Sequence, residues 1–192
     1  MNSKRVLALI VVAVVATVTA SGARAQKKKM EMPEALMKQM DMAMENMAKV
    51  MLDMPMEERP KYMMKKQQAS LENGKKLFNS TLGRNQQTCN SCHPGGGTTG
   101  GEAEIPMKGR FPMNPKLPIP TLVGAAANFP KYKVPNDAVI TLAQMGNNCI
   151  RMFQMGDGLD LNSTESRDLN AFVASLSDGE EVAVGKMQMM KK

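Results

Sequence analysis

The 192-residue chain carries 25 Lys and Arg against 18 Asp and Glu, but three of the basic residues sit within the first 24 positions. Without Lys4, Arg5 and Arg24 the count is 22 against 18, an excess of +4. So mild a charge, with no aromatic side chains alternating among the basic ones, excludes nucleic acid as the natural partner and suits a basic rim that steers an acidic protein.

In chain order, the first segment reads as an address. Lys4 and Arg5 precede an apolar run from Val6 to Ala20, and Ala23-Arg24-Ala25 supplies a small-x-small cleavage site. Residues 1–25 are therefore expected to be a signal peptide directing export to the periplasm, or an amino-terminal anchor if uncleaved. The run is short for a membrane span, which needs about 20 residues. No later segment is apolar enough to cross a bilayer.

Residues 26–66 form a Met-rich extension. Met37, Met40, Met44, Met47, Met51 and Met54 recur at alternating spacings of three and four, the a/d seam of a coiled coil, and Leu36, Ala43 and Val50 widen that face. Pro33 suits a first helical turn and Pro55 ends the segment. A break at "MPMEERP" precedes a second helix from about Lys61. Thioethers are soft ligands suited to Cu(I), but the helical spacing and the lack of histidine favour a packing surface, against the following domain or a partner helix.

Residues 67–178 read as the main domain. A helix over 67–79 is anchored by Leu71, Leu77 and Phe78, with Gly74 suggesting a close approach by another backbone. Residues 94–130 read mostly as loop, and a helix is expected from about Asp137 to Met155. The last helix is expected to start at Asn162 with Glu165 three residues on, a capping box. It presents Leu169, Phe172, Val173 and Leu176 as one buried face. No strand and no repeat is evident, so the fold class is all-α; residues 179–192 read as a flexible tail.

The chemistry concentrates in "TCNSCHP", residues 88–94, which hold Cys89, Cys92 and the only histidine, His93. In an exported protein the C-x-x-C-H string reads as a c-type haem attachment site. Each thiol adds to a haem vinyl group, and the adjacent imidazole becomes the proximal iron ligand. A zinc site would want four ligands, and only Cys149 remains. A thioredoxin-like dithiol would want a strand-to-helix setting. The expected cofactor is one covalent haem c held by Cys89, Cys92 and His93. For the sixth iron ligand the residues leave Cys149, Met107, Met113, Met145, Met152 and Met155 open, and Cys149 could equally be a buried inert thiol.

The helix bearing Gly74 and Phe78, the C-x-x-C-H string and the closing helix with Phe172 resemble class I cytochrome c, which implies a compact helical fold around one haem. The stretch from Phe129 to Leu176 is similar to the thiosulfate-handling cytochromes: the SoxA-type haem proteins of the sulfur-oxidation system and the thiosulfate dehydrogenases. Phe129-Pro130 with Tyr132, Thr141-Leu142, Asn147 with Cys149, Gly156 and Ser166 to Leu176 carry the likeness. It implies that Cys149 is the axial ligand. The sequence departs from that pattern where the family's substrate-holding arginine, four residues before the cysteine, is Met145; Arg151 stands in another register. The dehydrogenases also carry two haem motifs, and this protein has one.

The expected function is electron transfer with a periplasmic redox partner, such as another cytochrome. Sulfur-compound oxidation at a His/Cys-ligated haem, and a haem sensor or Met-rich metal-binding module, are the alternatives.

Overall fold

The computed structural model describes residues 32–104 and 116–185. The expected signal peptide and the last seven residues lie outside them, as do Met107 and Met113. The chain divides into two compact units, residues 1–53 and 54–192.

In the first unit, helix α1 spans Glu34–Ala48 and continues as a π-helical turn over Lys49–Asp53. Pro33 precedes the first turn and Glu34 places an acid where the helix dipole favours one. The seam expected to pack is open to solvent, and α1 buries no residue.

The second unit begins its regular structure with α2, Arg59–Phe78. The separate helices expected from Lys61 and over 67–79 are one, and the boundary expected at 66/67 falls inside it. After α3, the single turn Cys89–Cys92, come β1 (Gly101–Glu104) and β2 (Lys116–Ile119), an antiparallel pair in register Gly101 to Ile119 and Glu104 to Lys116. Then follow the short α4 (Ala125–Asn128), the hairpin of β3 (Lys131–Lys133) and β4 (Ala138–Ile140), α5 (Leu142–Phe153) and α6 (Thr164–Ser175).

The all-α expectation therefore needs correcting: this is a mostly helical domain with two small antiparallel sheets. Ala138–Ile140, expected to open the helix of α5, instead pairs with β3. The helix begins only after Thr141, whose hydroxyl accepts from the Gln144 amide at 3.3 Å while Gln144 Oε1 accepts from the Thr141 amide at 2.8 Å. At α6 the cap is Ser163 and not Asn162, its hydroxyl accepting from the Ser166 amide at 3.1 Å. The expected flexible tail is partly docked, since the amides of Ala183 and Gly185 donate to the carbonyls of Ala127 and Asn128 at 2.8 and 3.1 Å.

The core sits where α2 crosses α6. Phe78 and Phe172 meet edge to face, ring centroids 5.3 Å apart, with Leu169 beside them. Gly74 makes the crossing possible: a Cβ there would run into the Asp168 carbonyl and come within 2.7 Å of the Phe172 Cβ. The buried Asp168 carboxylate ties the helices a second time, accepting from Ser70 Oγ at 2.5 Å and Asn73 Nδ2 at 3.3 Å.

That crossing sets two expected stability losses. Gly74→Ala forces the helices apart, and denaturant unfolding of the holoprotein should show a loss of about 1–3 kcal/mol, although alanine ordinarily stabilises a helix. Asp168→Ala removes the shared acceptor of part-buried Ser70 and exposed Asn73, at a cost of about 1 kcal/mol in the same assay. Neither variant should change the haem spectrum.

Candidate haem site

The attachment turn is built by local chemistry. Thr88 caps α3 reciprocally with Ser91: the Ser91 amide donates to Thr88 Oγ1 and the Thr88 amide to Ser91 Oγ, both at 3.1 Å. This closes one helical turn over C-N-S-C and sets both thiols on the wall of one cavity. The backbone leaves through His93, whose carbonyl accepts from the Gly97 amide at 2.9 Å. Gly97 holds φ at +98°, and a side chain there would meet Leu176 and Leu122.

His93 is buried, with Nδ1 lying 2.9 Å from the Pro120 carbonyl oxygen. A carbonyl can only accept, so Nδ1 carries the hydrogen and Nε2 keeps its lone pair. Burial also pushes the imidazole pKa down, against a smaller upward pull from Pro120. The ring is thus neutral and held in the tautomer that ligates through Nε2, the second-sphere arrangement metal-binding histidines require.

The pocket lies between apolar walls from several elements, Phe78, Ile119, Leu122, Leu142, Phe153, Leu169 and Val173, and opens to solvent. Cys89 and Cys92 are free thiols, and burial raises the pKa of each. Gln154, almost wholly buried, donates its side-chain amide to Cys89 Sγ at 3.5 Å, and its Oε1 accepts from the Leu82 amide. On the same wall Asn170 carries a buried Oδ1 with no hydrogen-bond partner, an arrangement that costs about 1–3 kcal/mol unless a bound group meets it.

Of the sixth-ligand candidates, Cys149 and Met145 line the cavity, four residues apart on α5 and hence on one helical face. Met152 does not line it and packs instead on the Ala103–Phe153 cluster. Met155 is 43% exposed and stands at φ 56° past the helix end. Cys149 has its thiol pKa pushed up to about 12 by burial, with further upward pressure from Cys89 and Cys92 and a weaker downward pull from Lys133. Such a thiol is protonated at neutral pH until a metal displaces the proton.

α5 owes its position to Asn147. The buried side chain donates to the Leu159 carbonyl at 2.8 Å and accepts from the Leu159 amide at 2.9 Å, pinning the loop after the helix. Asn147→Ala breaks both bonds and should cost about 1–3 kcal/mol in thermal or denaturant unfolding. Arg151 does not line the cavity; its Nε donates to the Asp157 carbonyl at 3.1 Å.

Sequence reasoning missed Pro120, Gln154 and Asn170. Each acts through a partner 27 or more positions away or through a cavity wall, and no local motif marks them.

His93, Cys89, Cys92 and Cys149 thus share the lining of one largely apolar pocket, the residue set a c-type haem would use. Residues 118–182 match the family model "SoxA/TsdA, cytochrome c domain". The match begins beyond the C-x-x-C-H string and includes Cys149. That stretch is thus similar to a SoxA/TsdA cytochrome c domain, a domain type that implies covalently bound haem c. Among solved structures it is similar to one described as "Crystal structure of SoxXA from P. pantotrophus", with 17% identity and a TM-score of 0.44. That similarity covers 61% of this chain and 36% of the other, so the protein spans well under half the other's length. No curated protein matches the sequence.

The residues fit the group. Cys89 and Cys92 would form its thioethers, His93 Nε2 would bind the iron, and the sulfur of Cys149 or Met145 would be available as a second iron ligand. Bound there, haem supplies one-electron exchange between Fe(III) and Fe(II). The protein's own part is to hold the imidazole neutral, exclude water with apolar walls and offer a sulfur donor.

Proposed function

We propose that the protein is an exported, single-haem c-type cytochrome that passes electrons to or from a protein partner in the periplasm. The observation that carries this reading is the joining, on one cavity wall, of both C-x-x-C-H thiols, an Nε2-directed His93 and Cys149. Export is supported by the charged start, the apolar run and the small-x-small site of residues 1–25. Among the described residues no helix is long and apolar enough to cross a membrane.

The partner is an acidic redox protein. Lys131 and Lys133 both sit over the Phe129 ring, at 5.0 and 5.7 Å from its centroid, and the Lys133 charge reaches Cys149. A positive rim beside the cofactor steers an anionic partner at a rate that salt suppresses. Stopped-flow mixing of the reduced protein with an acidic single-haem cytochrome should give fast electron exchange that slows several-fold between about 10 and 200 mM salt. A slow, salt-independent exchange overturns this reading.

Sulfur-compound oxidation is the second reading, and the match at residues 118–182 favours it. Against unaided turnover stand Met145 in place of an arginine and Arg151 turned to Asp157. Thiosulfate with a one-electron acceptor should give no turnover by the protein alone, and turnover would establish catalysis instead.

A further inference from the structure

Helix α1 carries a chemistry the haem site does not use. At about 100° per residue, Met37, Met40, Met44 and Met47 fall within an arc of about 80° on one face. Their exposures are 46%, 48%, 61% and 55%, and nothing on α1 is buried. A seam selected only for packing gains most from leucine or isoleucine, yet Leu36 and Leu52 stand off the a/d positions and every a/d position holds Met. The long, rotamer-rich Met side chain loses more entropy when it packs. What it adds over leucine is a sulfur lone pair: a weak hydrogen-bond acceptor but a good donor to a soft metal.

The spacing suits such a metal. Side chains three and four residues apart on a helix have Cβ atoms about 5–6 Å from each other. Neighbouring thioethers on this ladder can therefore close on one ion. Asp41 and Glu34 lie nearest the stripe on the helical wheel, about 40° and 60° past Met37, with Lys38 and Lys49 further round, so the nearest charges favour a cation.

We propose that α1 is a binding site for a soft monovalent metal ion, Cu(I), gripped by the thioethers of Met40 and Met44 with Met37 and Met47 flanking them. The sulfurs are neutral and need no deprotonation, so uptake is insensitive to pH across the range where histidine and cysteine sites lose affinity. The site is independent of haem.

The test uses the full-length, haem-loaded protein and Ag(I), a redox-inert stand-in for Cu(I). Isothermal titration is paired with X-ray absorption of the bound ion. Met40→Leu/Met44→Leu keeps volume and apolarity while removing two donors; Met63→Leu/Met64→Leu removes two exposed thioethers from α2 as a control. The expected result is uptake by the wild type with a sulfur-only shell, weakened at least tenfold in the α1 variant and unchanged in the control. Equal uptake by the α1 variant and the wild type, or no uptake at all, overturns the proposal. So does stronger self-association of the α1 variant in sedimentation without Ag(I) uptake by the wild type, which makes the seam a packing surface. The haem absorbance, read in the same samples, reports separately on the electron-transfer reading.

Discussion

Replacing Cys89 and Cys92 together with serine should leave a protein that carries no covalent haem. In acidified organic solvent the wild type, matured with an export-linked haem attachment system, should keep its red colour with the protein. The double variant should release any haem to the solvent, a change from covalently bound haem to none. His93→Ala should behave differently, keeping both thioethers and staining for haem after denaturing electrophoresis, but losing the low-spin spectrum that an axial imidazole gives.

The consequence for folding should be as large as that for colour. The described buried hydrophobic residues are few, chiefly Phe78, Ile140, Ile150, Phe153, Leu169 and Phe172 with three alanines. Phe78, Leu122, Leu142, Phe153, Leu169 and Val173 also line the pocket shared by Cys89, Cys92 and His93, so a haem held there would extend this small core. A ligand that binds only the folded form stabilises it by mass action, and a covalent one cannot leave. The serine double variant should therefore bind a hydrophobic dye and melt over a broad range, the behaviour of a protein with helices but without fixed packing. A sharp, wild-type-like melt would show that the haem is not the core.

What the sequence disclosed and what it hid divide along a physical line. C-x-x-C-H stands out in the sequence because its spacing suits a small-molecule constraint, two vinyls and an iron, that any fold would have to satisfy locally. The Gly74–Phe78 and Leu169–Phe172 faces were legible because helix crossing imposes a periodicity and a small residue at the contact. The strands were not, since three- and four-residue segments such as Ala138–Ile140 offer no alternation long enough to read. Pro118 within β2 argued further against a strand. The cap of α6 was misplaced by one residue because Asn162 and Ser163 can both accept from the backbone, and only the folded protein shows which does. Pro120 escaped notice because it acts through its carbonyl, which every residue has.

Whether Cys149 or Met145 would be the second sulfur ligand of a bound haem carries the other large prediction. Cys149 and Met145 share the cavity wall, and their donors pull the iron in opposite directions. A thiolate carries negative charge and stabilises Fe(III); a thioether is neutral and favours Fe(II), raising the potential. The buried thiol, its pKa pushed up to about 12 by burial, must lose its proton to become that ligand, and a buried anion persists only where a positive partner offsets it. Ferric iron is such a partner. Cys149→Ala should therefore raise the reduction potential by on the order of 0.1 V or more, within the ~0.8 V that axial ligands command, and change the low-spin EPR signal of the oxidised protein. Met145→Leu, which keeps the wall apolar, should change neither. The opposite outcome, with Cys149→Ala silent and Met145→Leu active, would make the thioether the ligand and the cytochrome a high-potential one. If both variants are silent, the second ligand comes from outside this pair and Met113→Leu is the next variant to measure.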